Sequence, residues 1–294
     1  MRILLLIITN LAVSLLLGIV FFGLEISGVL PSGQWGYLFV SAMVFGFGGS
    51  FVSLLLSKVM AKWSLGLRVI DQPQSQEEYW LLETVRAHAA RAGIGMPEVG
   101  IYDSPDPNAF ATGWSRDSSL VAVSTGLMRV MGPEQVSAVL GHEVAHVANG
   151  DMVTLTLLQG VLNTFVIFFS RVIAFAIDSA LSRRGDDDGP RHMGGLAYGL
   201  ISFVLQIILG IGASMVVAWF SRWREFRADA GGAQLTSPHA MAGALNALRQ
   251  AGEEADLPKG MAAFGIHGGD IMKLFASHPP LEERISRLMN PQPR

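Results

Sequence analysis

Cysteine is absent from all 294 residues. That excludes disulfides and thiolate metal sites, so any metal here must be held by His, Asp or Glu. Charge is scarce as well. Only 15% of the residues are charged, against roughly 25% in ordinary soluble domains. The net charge of −3 carries no basic excess, and nothing points to nucleic acid as a partner. No internal repeat is visible, and low-complexity sequence is confined to SRRGDDDGPRH (182–192), which reads as a flexible outer loop. Apolar residues make up half the chain instead, and its mean hydropathy is +0.41.

The apolar excess is concentrated in four uncharged blocks: 3–24, 26–57, 152–170 and 193–221. Each can supply the roughly 20 residues that cross a bilayer as a helix. Helix is the expected form, because lipid offers the backbone no hydrogen-bond partners. The first block follows Arg2 but has too long an apolar core for a signal peptide, and no small-x-small cleavage site precedes Glu25. It reads as a retained anchor. Four spans place both termini on one side. Seven basic residues flank the spans there (Arg2, Lys58, Lys62, Arg68, Arg222, Arg224 and Arg227). Four (Arg171, Arg183, Arg184 and Arg191) fall in the loop 171–192. The positive-inside rule therefore puts the polar regions in the cytoplasm.

The expected layout is 1–57, two N-terminal transmembrane helices; 58–150, the first part of a cytoplasmic domain; 151–221, a second helix pair with a short outer loop; and 222–294, the rest of the domain. The polar parts suffice for one compact domain. SQEEYWLLETVRAHAARAG reads as an amphipathic helix, with a capping box at Ser75 and Glu78 and an apolar face of Leu81, Leu82, Val85 and Ala89. EVGIYDS (98–104), NAFATGW (108–114) and SSLVAVS (118–124) read as three strands, the last two joined by a turn at Arg116-Asp117. MGPEQVSAVLGHEVAHVANGD has Pro133 as a helix start and Asn149-Gly150 as its stop. Ser237-Pro238 opens another helix, and His278-Pro279-Pro280 precedes a last one, LEERISRLM. The fold expected is α+β: mostly helix, a small β-sheet, and four membrane helices.

The HEVAH of that central helix carries the chemistry. Residues i and i+4 share a helix face, so His142 and His146 can present imidazoles to one ion, and Glu143 beside them can reach a water on it. This is the H-E-x-x-H zinc-hydrolase arrangement of two ligands and a general base. Zinc requires a third protein ligand and one open position. SRWREFRADA, after the fourth block, offers Glu225 and Asp229, again four apart. One reading makes Glu225 the ligand and gives Asp229 the task of holding a ligand histidine's other ring N–H. The other has both acids pairing with Arg222, Arg224 or Arg227 in a basic interfacial helix.

Taken together, HEVAH, EFRAD, NAFATG and SHPPLEERI resemble the HtpX-type membrane zinc endopeptidases, gluzincins related to the CaaX prenyl proteases. The resemblance covers nearly the whole chain, with no departure at the metal or base positions. It implies a zincin-like protease domain, one zinc on His142, His146 and Glu225, and Glu143 as the catalytic base. It also implies a bacterial inner-membrane enzyme that cleaves misfolded or damaged membrane proteins on the cytoplasmic side. Its partners would be polypeptides and the lipid bilayer.

Zinc would lower the pKa of its water towards about 7. Glu143 would then take the proton and return it to the leaving amine. His278, at the family's SHPP, is the expected second donor to the oxyanion; otherwise it only caps the last helix. Ala109, Phe110 and Ala111 could pair as an edge strand with an extended substrate, and Asn108 could bind its main chain. Alternatively, they form a core strand after an Asn turn. His88 reads as a surface residue, and His192, His239 and His267 lack ligand spacing. The glycines of FGFGGS read as packing positions between spans. Two other classes remain in view. A transporter would need ionisable residues in mid-span, and the blocks hold almost none. An inactive metal-binding scaffold would not need Glu143.

Overall fold

The computed structural model describes residues 34–182, 195–254 and 278–290. The expected first span (3–24), His192, His267 and nearly all of 182–192 lie outside the described residues. Among the described residues, three helices are long and apolar enough to cross a membrane: Gly36–Ser64, Asp151–Leu181 and Gly195–Leu235. The chain divides into two compact units, Met1–Ser53 with Thr154–Val217, and Leu54–Val153 with Ala218–Arg294.

The second unit contains the sheet and all the expected site residues. Its strands are β1 (Arg68–Val69), β2 (Glu98–Tyr102), β3 (Ala109–Ser115) and β4 (Ser118–Ser124), in the order β1-β2-β4-β3. β2 runs parallel to β4, while β1 and β3 pair antiparallel to their neighbours. The β3–β4 hairpin turns at Arg116-Asp117, as the sequence leads one to expect, and β3 forms an edge of the sheet. β1 has two residues, too few for a period-2 pattern to announce it.

Helix α1 (Gln34–Met43) passes through a π-turn at Val44–Gly48 into α2 (Gly49–Ser64). Next come α3 (Gln76–Ala92), α4 (Thr125–Val130) and α5 (Pro133–Asn149). α5 starts at Pro133 and stops where Gly150 takes a left-handed φ of 69°. α3 is capped by the Ser75 hydroxyl, which accepts from the Glu78 N–H. The reciprocal half of the expected capping box is shifted by one residue. The Glu78 carboxylate accepts from the Gln74 N–H at 2.8 Å and binds Arg68 at 2.6 Å.

Leu81, Val85 and Ala89 of α3 are buried, and Leu81 and Val85 pack with Val99, Val121, Val123, Val136, Leu140 and Val144 into one core. His88 belongs to that interior. It is 5% exposed, with Nε2 3.0 Å from the Ser137 carbonyl of α5. The expectation of a surface histidine is therefore corrected. α3 is covered by α5 over more of its circumference than its apolar stripe indicates.

In the first unit, α1 and the π-turn meet α6 (Asp151–Ser182). A Cβ on Gly46 would lie 2.5 Å from the Thr164 backbone N, so the close-packing reading holds at that glycine. Nothing stands within 4 Å of the corresponding points on Gly48 and Gly49. Ser50, Asn163 and Gln159 form a hydrogen-bonded chain, with Asn163 Nδ2 donating to Ser50 Oγ at 3.3 Å and Gln159 Nε2 to Asn163 Oδ1 at 3.1 Å. α6 also corrects an expected boundary. The apolar block ends at Phe169-Ser170, but the helix continues to Ser182. Arg171 is therefore helical, not part of an outer loop. Hydropathy stops at the first charge, whereas the backbone ladder stops only where its hydrogen bonds run out. The remaining helices are α7 (Gly195–Leu235), α8 (Pro238–Glu254) and α9 (Leu281–Met289).

Burial lowers the His88 pKa below its ordinary 6.5, and the nearby Arg91 charge adds to this. The unfolded chain then binds a proton that the folded chain refuses. The stability His88 contributes is full above 6.5 and is lost as pH falls through the lowered value. His88→Gln is expected to flatten the acid side of the stability curve relative to the wild type. The check is thermal unfolding of both proteins between about pH 7 and pH 5; parallel curves would overturn the assignment.

Candidate active site

α5 and α7 cross where two glycines allow close approach. A Cβ on Gly231 would lie 2.6 Å from the Cβ of Ala145. A Cβ on its neighbour Gly232 would lie 3.1 Å from the Cα of His142. Small residues at this crossing let Glu225 and Asp229, one turn apart on α7, face the two histidines of α5. The carboxylates approach ring nitrogens directly.

His142 and His146 stand edge to face with ring centroids 4.6 Å apart, and their Nε2 atoms are separated by 3.1 Å. Glu225 Oε1 lies 3.2 Å from His146 Nε2, and Oε2 lies 3.6 Å from His142 Nε2. Three donor atoms, one from each residue, fall within 4.8 Å of one another. Glu225 is 2% exposed, and its Oε2 is buried without an aligned hydrogen bond. Two imidazole nitrogens and a buried carboxylate converging on one point fit a divalent cation of the zinc type. Among the described residues, no other cluster of three such groups meets this criterion.

The outer nitrogens are also engaged. His146 Nδ1 contacts Asp151 Oδ2 at 2.7 Å. His142 Nδ1 lies 3.0 Å from Asp229 Oδ1, although its N–H is not aligned for a hydrogen bond. Each histidine thus has its own carboxylate behind it, the arrangement that fixes ring orientation and raises ligand basicity. Sequence reasoning reached Asp229 and missed Asp151, which was read only as the first residue of a span. The available signal was its place just past the Asn149-Gly150 stop, five residues beyond His146. Asp151 is held in turn by its carbonyl, which accepts from Arg224 Nη1 at 2.9 Å.

Charge in the site favours cations. Burial works against protonation of His142, but Asp229 and Glu225 outweigh it, and its pKa is pushed up to about 10. His146 is raised for the same reason, with Asp151 as its main acidic partner. Glu143, next to His142 on α5, is half-buried; burial pushes its carboxyl up, against the lowering effect of His142 and His146.

The other expected residues divide. His278 brings Nδ1 to 2.9 Å from Glu225 Oε2 with its side chain 64% exposed, so it is at the trio's edge and open to solvent. Ala109 and Ala111 pack toward the main core, while Phe110 turns to the opposite face against Tyr102, with ring centroids 5.8 Å apart. Asn108 is exposed, and its backbone is tied to Ser124 in both directions. His239 sits in the first turn of α8 and is not a member of the trio.

The profile of Peptidase family M48 matches residues 75–292, which include every residue of this cluster. The chain belongs to peptidase family M48. It is 56% identical over 290 residues to Protease HtpX of Xanthomonas euvesicatoria pv. vesicatoria, covering 98% of this chain and 96% of that one. It is also 56% identical over 295 residues to the Protease HtpX homolog of Albidiferax ferrireducens, covering 98% of both. Its fold is that of the crystal structure of S. mikatae Ste24p, with a TM-score of 0.62 at 19% identity over 98% of this chain and 67% of that one. This M48 peptidase is a membrane protease, mostly helical with a small mixed sheet. Its expected resemblance to the HtpX type therefore holds.

In this peptidase Asp229 also binds Arg284, which is 6% exposed. Asp229→Ala would leave that guanidinium buried with much of its compensation gone. The expected loss of folding stability is about 3–5 kcal/mol, the usual consequence of removing one member of a buried pair. Unfolding in detergent measures it; a loss near the size of an exposed ion pair, below about 1 kcal/mol, would contradict this.

Proposed function

We propose that this chain is a zinc-dependent endopeptidase of the bacterial inner membrane, with its site on the cytoplasmic side, and that it cleaves misfolded or damaged membrane proteins. The observation that carries the reading is the convergence of His142, His146 and Glu225 from two helices, with Glu143 beside them and outside the ligand set. The three would hold one zinc, and Asp229 and Asp151 would keep the two imidazoles oriented. Zinc held there supplies Lewis acidity, lowering the pKa of a bound water towards about 7 and polarising the scissile carbonyl.

The remaining steps belong to the chain's own groups. Glu143, its affinity for a proton raised by burial, takes a proton from the attacking water and delivers it to the departing amine. His278, exposed at the rim, donates to the oxygen that becomes negative as the carbonyl turns tetrahedral. β3 supports a substrate role because it is an edge strand, and an extended peptide can add to an edge through main-chain hydrogen bonds. Ala109, Phe110 and Ala111 would offer that edge, with Asn108 exposed at its start to hold the substrate main chain.

Membrane-protein substrates follow from where the chain is anchored. Three helices in the described residues are apolar enough to span a bilayer, so the enzyme meets its substrates at the membrane. The cytoplasmic placement rests on the distribution of Lys and Arg around the spans.

Glu143→Gln is expected to keep zinc at one per chain and to lose cleavage of an unfolded test protein by about 100-fold or more. Metal analysis and a gel-based cleavage assay on detergent-purified protein read the two effects separately. If both proteins bind zinc and neither cleaves, the chain is a metal-binding scaffold and the enzymatic reading fails.

A further inference from the structure

Arg284 is a buried cation contributed by α9, the last helix, and the zinc-site reading assigns it no part. Its side chain is 7% exposed. Nε donates to Asp229 Oδ2 at 2.8 Å, and Nη2 donates to Asp229 Oδ1 at 2.6 Å, a two-pronged pair with one carboxylate. Nη1 stands 3.3 Å from Glu225 Oε2. The oxygen that takes Nη2 is also the one 3.0 Å from His142 Nδ1.

We propose that Arg284 is a positioning residue of the metal site, setting Asp229 against His142 and Glu225 against the two imidazoles, so that metal binding depends on α9. The inference rests on the reading of His142, His146 and Glu225 as ligands. Geometry gives the reason. A carboxylate that can rotate cannot hold an imidazole in one orientation, and a guanidinium fork is the group that fixes both its oxygens at once. Charge gives a second reason. Glu225 and Asp229 are each 2% exposed and lie one helical turn apart, a repulsive pair in a region of low dielectric. Arg284 touches both and offsets one of the two charges. The rest remains to attract a cation to the imidazole side. Lysine would keep the charge and lose the fork.

α9 reaches this place by packing its other side chains. Leu281, Ile285 and Leu288 lie against the main core, and the Arg287 guanidinium stacks 3.7 Å above the Phe226 ring of α7. The helix is thus anchored on both sides of Arg284, and the guanidinium arrives in a defined position.

The test is zinc affinity of the full-length protein in detergent, by competition with a chromogenic chelator, for wild type, Arg284→Lys and Arg284→Ala. The visible spectrum of the cobalt(II)-loaded forms is recorded alongside, because it reports ligand geometry and not folding. The expected result is a loss of affinity of about 10–100-fold in Arg284→Ala, the usual consequence of removing an outer-shell partner. An altered cobalt spectrum and partial recovery in Arg284→Lys are expected with it. Thermal melting establishes that each variant is folded. If Arg284→Ala is not, Arg284→Lys carries the same two readouts, with a smaller loss and a shifted spectrum expected. Folded variants with wild-type affinity and an unchanged spectrum would overturn the inference and leave the zinc reading standing. A wild type that takes up no metal would overturn both.

Discussion

Three carboxylates buried beside two imidazoles cannot exist without compensation. Glu225, Asp229 and Asp151 are each 3% exposed or less, and an isolated buried charge costs several kcal/mol even after relaxation. Much of the local structure answers that demand. His142 and His146 offer ring nitrogens on both sides, Arg284 comes from the end of the chain, and Arg224 donates to the carbonyl of Asp151. The demand also explains the glycine pair at the α5–α7 crossing. Larger residues there would separate the helices and leave the carboxylates without the imidazoles that neutralise them. The packing is tight because the electrostatics require it.

The same constraint decides what the sequence could reveal. Local features were legible. Pro133 and Gly150 bound α5, Ser75 caps α3, and the β3–β4 hairpin turns at Arg116-Asp117. The i, i+4 spacing that gives HEVAH its face gives Glu225 and Asp229 theirs, and it was the resemblance to the HtpX type that singled out Glu225 as the third member of the trio. Arg284 could not be named in this way. Its partner is 55 residues away, and an arginine in a short charged helix looks the same in sequence whether solvated or buried. His88 failed for a related reason. Its helix was judged from one apolar stripe, while α5 covers a wider face and takes the histidine's Nε2 through the Ser137 carbonyl.

The extent of α6 misled in the opposite direction. Hydropathy marked the end of a block at the first charge, but α6 continues to Ser182, and α7 runs unbroken from Gly195 to Leu235. Glu225 and Asp229 sit inside that single helix. Their separation is therefore fixed by helical rise, at about 1.5 Å per residue. A loop at the end of the apolar block would have left Glu225 to find its place separately; a continuous helix delivers both acids in register.

That register connects the chemistry to the charge pattern. The carboxylates that push the pKa of His142 to about 10 would hold any cation at the imidazoles, whether proton or metal. Metal binding at such a site releases protons, because imidazole must be neutral to coordinate. A site of this kind discriminates by charge density and by the number of donors, and a divalent ion accepting two nitrogens and an oxygen outcompetes protons that can each satisfy only one donor. Glu143 is exempt from the competition. Its helical offset keeps it out of the trio, and its burial raises its affinity for a proton. One helix thus carries two kinds of acid–base group next to each other, and the turn angle of the backbone is what keeps their roles apart.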